Sequence, residues 1–506
     1  PIAPKVIYLQ NIDHDTIAAS GDWNEKSLVW QFEHIDTIGS LLKITPEEYE
    51  KIKVDGGLFG EQQRLMKSEA EYLSRGYHCV VTNPPYLGKG ICDLLKDYCA
   101  ENFKEGKADM YAAFIMQAIN MLVPKGFTGL VTMESWMFLS VFEKLRDLLL
   151  NNTQIISLSH FDWHIMHIAF GTVSFILQNA KPDSRKGVYS YLNRADVDLK
   201  KDIPYVFPIK DNGKYNEITQ NKFNYIPGEF LGYWASNNIL DCFTLPQLYS
   251  IAETRLGMAT ADNNKYLRYN WEVNTNNINK KCLTANDTLY DKRKWYPYAK
   301  GGINRKWYGN TEYIVNWFKN GYEIQNFKDE NGKVRSHNYN LDYIFKKGIT
   351  WNALSSSGTS FRYMEHSLFD NAGSSLFCIN NTNYNYLLGF LNSILPRTIL
   401  PIFNQGFNYQ PGVIGRLPIN FDTALKEDID TIVQLNISIS KSDWDAHETS
   451  WDFTQNKLLT LTPKSCQAIW EDYAYFFNTT IVMHQPYMES LEYRVNTYKT
   501  KWETQF

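Results

Sequence analysis

The sequence predicts an α/β protein: an open, mostly parallel sheet, then a mixed α+β domain, then a helical C-terminal segment. Three observations carry that reading. Up to about residue 180, short runs of strand-forming residues alternate with stretches of helical periodicity, the pattern of a sheet covered by helices. From about 245 to 420 the chain changes to short β-prone pieces broken by Asn and Gly. Beyond about 425 helical patterning returns. The expected parts are residues 1–190, a linker region at 191–245, a second domain at 246–422 and a helical segment at 423–506.

Taken in order, Lys5-Val6-Ile7-Tyr8-Leu9 is strand-like, and the stretch through Glu61-Gln62-Gln63-Arg64-Leu65-Met66 has the spacing of a surface helix. Val80 and Val81 suit a buried parallel strand. It must stop at Asn83, because Pro84 and Pro85 cannot continue a ladder. Asp109 is placed to cap a helix through Met110, Phe114, Ile115 and Leu122, which Pro124-Lys125-Gly126 ends. Thr128 to Met133 reads as a second buried strand and Phe142 to Leu150 as a second helix. Ile155 to Leu158 and Thr172 to Leu177 follow as a close pair, expected to be antiparallel. Lys181 to Gly187 is a polar linker.

Bulk composition narrows the function classes. A net charge of −4 over 506 residues excludes a generic polyanion binder, so a nucleic-acid surface would be a local patch. Seven cysteines without a C-x-x-C pair read as reduced core thiols of a cytoplasmic protein. No apolar run reaches the roughly eighteen residues of a span, so no membrane partner is expected. The chain opens Pro1-Ile2-Ala3-Pro4 without Met and closes in helix-like Lys501-Trp502-Glu503, which predicts a piece of a longer protein.

The stretch with chemical content is Asn83-Pro84-Pro85-Tyr86, at the carboxyl end of a strand, where open α/β sheets bind ligands. An exocyclic amine on an aromatic ring is a poor nucleophile because its lone pair is delocalised. Two acceptors, the Asn83 side-chain oxygen and the Pro84 carbonyl, can hold its N–H bonds and favour a tetrahedral nitrogen. The prolines preset both acceptors, and Tyr86 can stack on the base. A sulfonium methyl donor in line would then permit direct transfer. A strand-ending turn with no chemistry is the plain alternative.

Val80 to Tyr86 resembles motif IV, in its adenine form, of the gamma-class amino-methyltransferases that use S-adenosylmethionine. Asp109-Met110-Tyr111-Ala112-Ala113-Phe114 resembles the next family motif, and Gly126 to Trp136 the following strand. Phe170-Gly171-Thr172-Val173-Ser174-Phe175 is similar to the motif that supplies an aromatic wall for a flipped base. The resemblance implies a Rossmann-like sheet, represented by its C-terminal part. It implies Asn83, Pro84, Tyr86 and Phe170 as catalytic residues, with Phe161 or His164 as alternatives for the wall. Pro85 and Phe114 are then the cofactor-binding residues. Nothing before Asn83 resembles the Gly-rich loop for the methionine part of the cofactor. Asp55 to Gly60 comes nearest, without a strand before it.

Further along, Gly257 to Tyr266, Ile349 to Asn352, Leu387 to Ser393 and Gly412 to Ile419 are similar to target-recognition domains fused to such enzymes. Ser440 to Asp445 and Thr449 to Phe453 resemble a signature of the PglX family, the adenine methyltransferases of BREX phage-defence systems. The implied function is site-specific DNA adenine-N6 methylation in such a system or in restriction-modification. Double-stranded DNA, and other defence subunits, are the implied partners. Methylation of RNA or protein glutamine, and a DNA-recognition or docking module without catalysis, stay open as alternatives.

Between Lys280 and Tyr308 eight basic residues face only Asp287 and Asp291, with aromatics interleaved. Lys292, Arg293, Lys294, Arg305 and Lys306 are the DNA-binding candidates. The alternative is a solvated face of a β domain. His160, His164 and His167 have metal-like spacing but lie between sheet strands with no acidic partner at ligand spacing, so no metal site is expected. Trp444 and Trp451, seven apart, would share one face of a helix.

Overall fold

A computed structural model describes residues 9–20, 28–88, 90–201, 203–356, 358–404 and 406–455. The strand-like Lys5 to Tyr8, Cys466 and Lys501 to Glu503 lie outside the described residues. The chain divides into two compact units, residues 1–240 and 241–506.

In the first unit, α1 (Gly60–Ser74) leads into β1 (Tyr77–Thr82). Then come α2 (Asp93–Asn102), α3 (Met110–Asn120), β2 (Leu122–Met133), α4 (Glu143–Asn152), β3 (Gln154–Phe161), β4 (Thr172–Gln178), β5 (Lys186–Leu192) and β6 (Tyr215–Thr219). The strands form one six-stranded sheet in the order β1-β2-β4-β3-β5-β6. β1, β2, β3 and β5 run one way, and β4 and β6 the other. The β3/β4 pair is antiparallel as expected. Strand direction is thus mostly parallel while neighbour pairing is mixed, because β4 is inserted between β2 and β3.

Two expectations for this unit are corrected. Residues 191–245 are not a linker: β6 closes one edge of the sheet, and Phe223 and Tyr233 are fully buried. The polar composition there belongs to an edge strand with water on its outer side. The strand before Asn83 is not buried either. Among the described residues β1 has a neighbouring strand on one side only, and register places Val81 in line with Gly129 and Ile176 on a face uncovered among those residues. Val81 is 77% exposed and Ile176 40%. Apolar β-branched residues mark a strand, but only the layers around it decide which faces are covered. The opposite face is the core: Leu130, Phe175, Leu158 and Tyr189 form one row across four strands. Each member of that row is fully buried.

A second core lies before and beside β1, where Ile17, Ile35, Leu41, Met66, Ala70, Tyr98, Phe103 and Ala113 cluster. Asp109 caps α3 as expected, its carboxylate accepting from the Tyr111 N–H. Glu69 of α1 is fully buried in this region, and one carboxylate oxygen accepts from the Gln10 N–H at 2.8 Å. Burial pushes its carboxyl up to about 7.

The second unit holds β7 (Ala252–Arg255), β8 (Leu267–Tyr269), β9 (Trp295–Ala299), β10 (Tyr313–Asn316), β11 (Gly348–Trp351), β12 (Phe361–Met364), β13 (Leu368–Phe369) and β14 (Ser375–Cys378). They make two four-stranded sheets, β8-β10-β9-β13 and β12-β11-β14-β7. Helices α5 (Tyr384–Asn392) and α6 (Lys426–Trp444) follow. They approach closely at Gly389, where a Cβ would meet Val433 Cγ2 at 2.9 Å. α6 ends at Trp444, so Trp451 lies beyond it and the two tryptophans do not share a helix face. Cys79 and Cys92 are exposed, not core thiols. Among the described residues no single helix is long and apolar enough to cross a membrane.

Candidate active site

Where β1 ends, Asn83 is exposed, Pro84 is buried and Pro85 exposed. The Tyr86 hydroxyl donates to Asn83 Oδ1 at 2.8 Å and sits 3.2 Å from the Val131 carbonyl of β2. Burial pushes the Tyr86 hydroxyl above its ordinary range, so it stays a neutral donor. The loop after Tyr86 is tied to the start of α3. The Leu87 N–H donates to Asp109 Oδ1 at 3.2 Å and the Met110 N–H to the Leu87 carbonyl at 3.3 Å. Burial pushes the Asp109 carboxyl up.

Two rings complete the pocket. Phe170 meets Tyr86 edge to face with centroids 5.7 Å apart, and Tyr111 meets it at 6.3 Å. Tyr111 is fully buried and its hydroxyl bonds the Ser135 hydroxyl at 2.8 Å. Phe161 packs elsewhere, against Ile165, Leu192 and Val197, and His164 stacks on exposed Trp163. Of the three candidates for the wall, the structure brings Phe170 to Tyr86. Phe114 stands one turn into α3, partly buried against the helical core.

The turn after β2 is held from below by Arg146, which is fully buried. It donates to the carbonyls of Trp136, Leu139 and Gly228 at 2.7–2.8 Å. Burial pulls its guanidinium down to about 10. Beside this turn, His160 Nε2 bonds Glu134 Oε2 and His160 Nδ1 bonds the Tyr233 hydroxyl at 2.7 Å. Tyr111 and Glu134 fell inside family-like stretches without a role assigned to them, and Tyr233 carried no signal in the sequence. The acidic partner of His160 is there, 26 residues away in the chain.

In the second unit the basic candidates divide. Arg305 is used internally: it donates to the Tyr308 and Ser440 carbonyls, pairs with Asp443 at 2.5 Å and lies over the Trp444 ring. Lys306 Nζ donates to the Asn392 carbonyl at 2.9 Å. Both clip the β sheets to α5 and α6, a role their run of positive charge did not reveal. Arg293 pairs with Asp291 at 2.9 Å but stays exposed, as do Lys292 and Lys294. A surface feature missed in the sequence lies on β8 and β10. Tyr313, Tyr269 and Trp271 stack in sequence, centroids 4.8 and 4.5 Å apart, with Trp271 51% exposed. Beside them is a cleft of about 380 Å³ lined by Asn263, Asn264, Arg268 and Lys300 among others. Strand spacing alone would not have found it, since Tyr269 and Tyr313 are 44 residues apart.

Comparison with known proteins finds relatives in sequence. Residues 8–165 match the Eco57I restriction-modification methylase family. The chain is 34% identical over 403 residues to the adenine-specific methyltransferase PglX of Lacticaseibacillus casei (strain Zhang), covering 77% of this chain and 33% of that protein. It is 32% identical over 459 residues to the adenine-specific methyltransferase BrxX of Escherichia coli O9:H4 (strain HS), covering 85% and 36%. The chain belongs to the PglX–BrxX family. It spans about a third of the length of these relatives. The Type IIL restriction-modification enzyme MmeI, solved with DNA, is similar at a TM-score of 0.43 and 13% identity, over 85% of this chain and 58% of that one. Asn83 to Tyr86, the start of α3 at Asp109 and Tyr111, and Phe170 meet around or beside Tyr86.

Proposed function

We propose that this PglX–BrxX family member carries the base-side half of a DNA adenine-N6 methyl-transfer site. The observation that carries the reading is the constellation at the end of β1: a carboxamide oxygen and a proline carbonyl beside a tyrosine ring, with Phe170 against that ring. The names of the relatives, adenine-specific methyltransferases, support adenine as the base and DNA as its source. A target base turned out of the duplex would lay its ring on Tyr86 and present its amine to Asn83 Oδ1 and the Pro84 carbonyl. Those two acceptors draw the amine hydrogens and leave the nitrogen lone pair facing away from the ring plane.

S-adenosylmethionine, when bound, supplies a methyl carbon whose bond to sulfur breaks as its bond to N6 forms. The residues present fit its adenine end: Pro85 is exposed beside Asn83, and Phe114 offers a partly buried ring on α3. They do not offer a seat for its methionine end among the described residues. The glycines of Asp55 to Gly60 lead directly into α1, and among the described residues no strand precedes them. The exposed Lys292, Arg293 and Lys294, with the Tyr269–Trp271–Tyr313 stack, are the surface we assign to DNA.

Long-read sequencing of host DNA tests the reading. Wild type is expected to show methyladenine at one sequence context, and an Asn83→Ala strain to lose it. An identical methyladenine pattern in the two strains would overturn the assignment of Asn83.

A further inference from the structure

The Glu134–His160–Tyr233 chain is a polar line through the sheet's core that base capture at Asn83 does not use. Glu134 is the first residue after β2, and its backbone N–H donates to the Gly171 carbonyl at 3.1 Å. Its carboxylate takes His160 Nε2, whose ring is buried, and His160 Nδ1 meets the Tyr233 hydroxyl. Burial holds that phenol neutral. A neutral phenol donates to Nδ1 of a neutral imidazole or accepts from an imidazolium; in both cases Nε2 carries a proton and faces Glu134. The carboxylate is therefore tied to a buried ring that is itself tied to Tyr233.

What it lies against is the backbone of the aromatic wall. A Cβ at Gly171 would lie 2.2 Å from the Glu134 carboxyl carbon and 2.3 and 2.4 Å from its oxygens. Only glycine admits this contact. Gly171 directly follows Phe170, which presses edge to face on Tyr86 at 5.7 Å and 77°. A base held against the Tyr86 ring would have Phe170 as its other neighbour, since Phe170 is the ring that meets Tyr86. The place of Phe170 therefore sets the room left beside that ring.

We propose that Glu134, held by His160 and Tyr233, is a positioning residue that sets the place of Phe170 through Gly171. This rests on the reading of Asn83 to Tyr86 as the base site. Glu134 touches neither base nor methyl donor in this role; it acts through the wall.

The test uses the intact protein and duplex DNA carrying the modified site, with 2-aminopurine at the target position as the probe of base capture. Glu134→Ala and Gly171→Ala are expected to lower kcat on the order of 10-fold to 100-fold, the scale of a misplaced reacting group. KM for DNA is expected to stay within about twofold, and the 2-aminopurine signal to shift, since both report the wall and not the duplex contacts. Glu134→Gln, which still accepts from His160, is expected to keep wild-type kcat within about threefold. The double variant Gly171→Ala with Glu134→Ala is expected to be more active than Gly171→Ala alone, because the added methyl then has room. Unchanged kcat in Glu134→Ala, loss confined to KM, or a double variant no better than Gly171→Ala would overturn the proposal. Asn83→Ala separates the two readings. If that variant still methylates, the base-site reading has failed; if it is inactive while Glu134→Ala is wild type, only the positioning role has.

Discussion

Replacing Tyr86 with Phe removes one oxygen from the site and leaves the ring. That oxygen donates to Asn83 Oδ1 at 2.8 Å, where it decides which way the carboxamide points. With Oδ1 so engaged, its second lone pair remains for the amine; a rotated amide would set N–H against N–H. A neutral hydrogen bond of this kind contributes about 0.5–1.5 kcal/mol, which is roughly 2-fold to 10-fold in rate. The expected outcome for Tyr86→Phe is a fall of that size in kcat, with KM for DNA unchanged because base–ring stacking survives. Tyr86→Ala should in addition lose about 1–3 kcal/mol of stacking, seen as weaker capture of the target base. The assay is methyl transfer to DNA containing the modified site at saturating DNA and donor, from pH 6 to 9. Because burial raises the Tyr86 hydroxyl above its ordinary range, the phenol stays protonated throughout. The ratio of wild type to Tyr86→Phe should therefore be flat with pH. A ratio that follows pH, no effect at all, or a loss beyond about 100-fold would each refute the orienting role.

Three other perturbations follow from the geometry. Glu69 has a folded pKa of about 7 against the ordinary carboxylate value, so its contribution to stability is full at low pH and lost as pH rises through about 7. Glu69→Gln should stabilise the protein by roughly 3 kcal/mol at pH 8 and by nothing at pH 4; calorimetric melts at the two values check it, and equal shifts at both would contradict it. Arg305→Ala should destabilise the second unit by about 2 kcal/mol, since the side chain clips α6 through Ser440, Asp443 and Trp444, whereas Asp443→Ala should cost under about 1 kcal/mol. Denaturant melts distinguish this from a phosphate contact, which would leave stability unchanged. Charge reversal at Lys292 and Lys294 should weaken DNA binding and flatten its salt dependence, while Trp271→Ala should weaken it by about 1–3 kcal/mol without changing the salt slope. Binding titrations across salt would show whether charge and stacking separate in this way.

The strand end to which the proposed chemistry is assigned was legible in the chain because its residues are consecutive. Asn83, Pro84 and Tyr86 are neighbours, and the prolines that end β1 also preset the acceptors, so local covalent geometry is enough to read them. The Asp109 cap and the antiparallel β3/β4 pair were legible for the same reason, both being short-range patterns. The triad behind Phe170 was not. Glu134, His160 and Tyr233 come from a turn, a strand and a loop far apart in the chain, and only sheet register brings them together. Charge patterning likewise marked Lys292 to Lys306 as one basic run, yet whether a cation meets water or a carbonyl depends on what packs over it. For Arg305 that is α6, more than a hundred residues later.

Burial is a property of layers, and a strand carries no record of which layers it has. Val80 and Val81 specify extended backbone through their branching, and so does the Val-Val run in any sheet. Among the described residues their strand stands first in the order β1-β2-β4-β3-β5-β6 with Val81 exposed, which no run of valines specifies. The sequence by itself determined that a carboxamide and a tyrosine would stand at the end of a strand. The tertiary structure decided what stands behind them: that Phe170 faces Tyr86, and that the Glu134 carboxylate lies against Gly171, because such contacts are set by packing across the sheet and not along the chain.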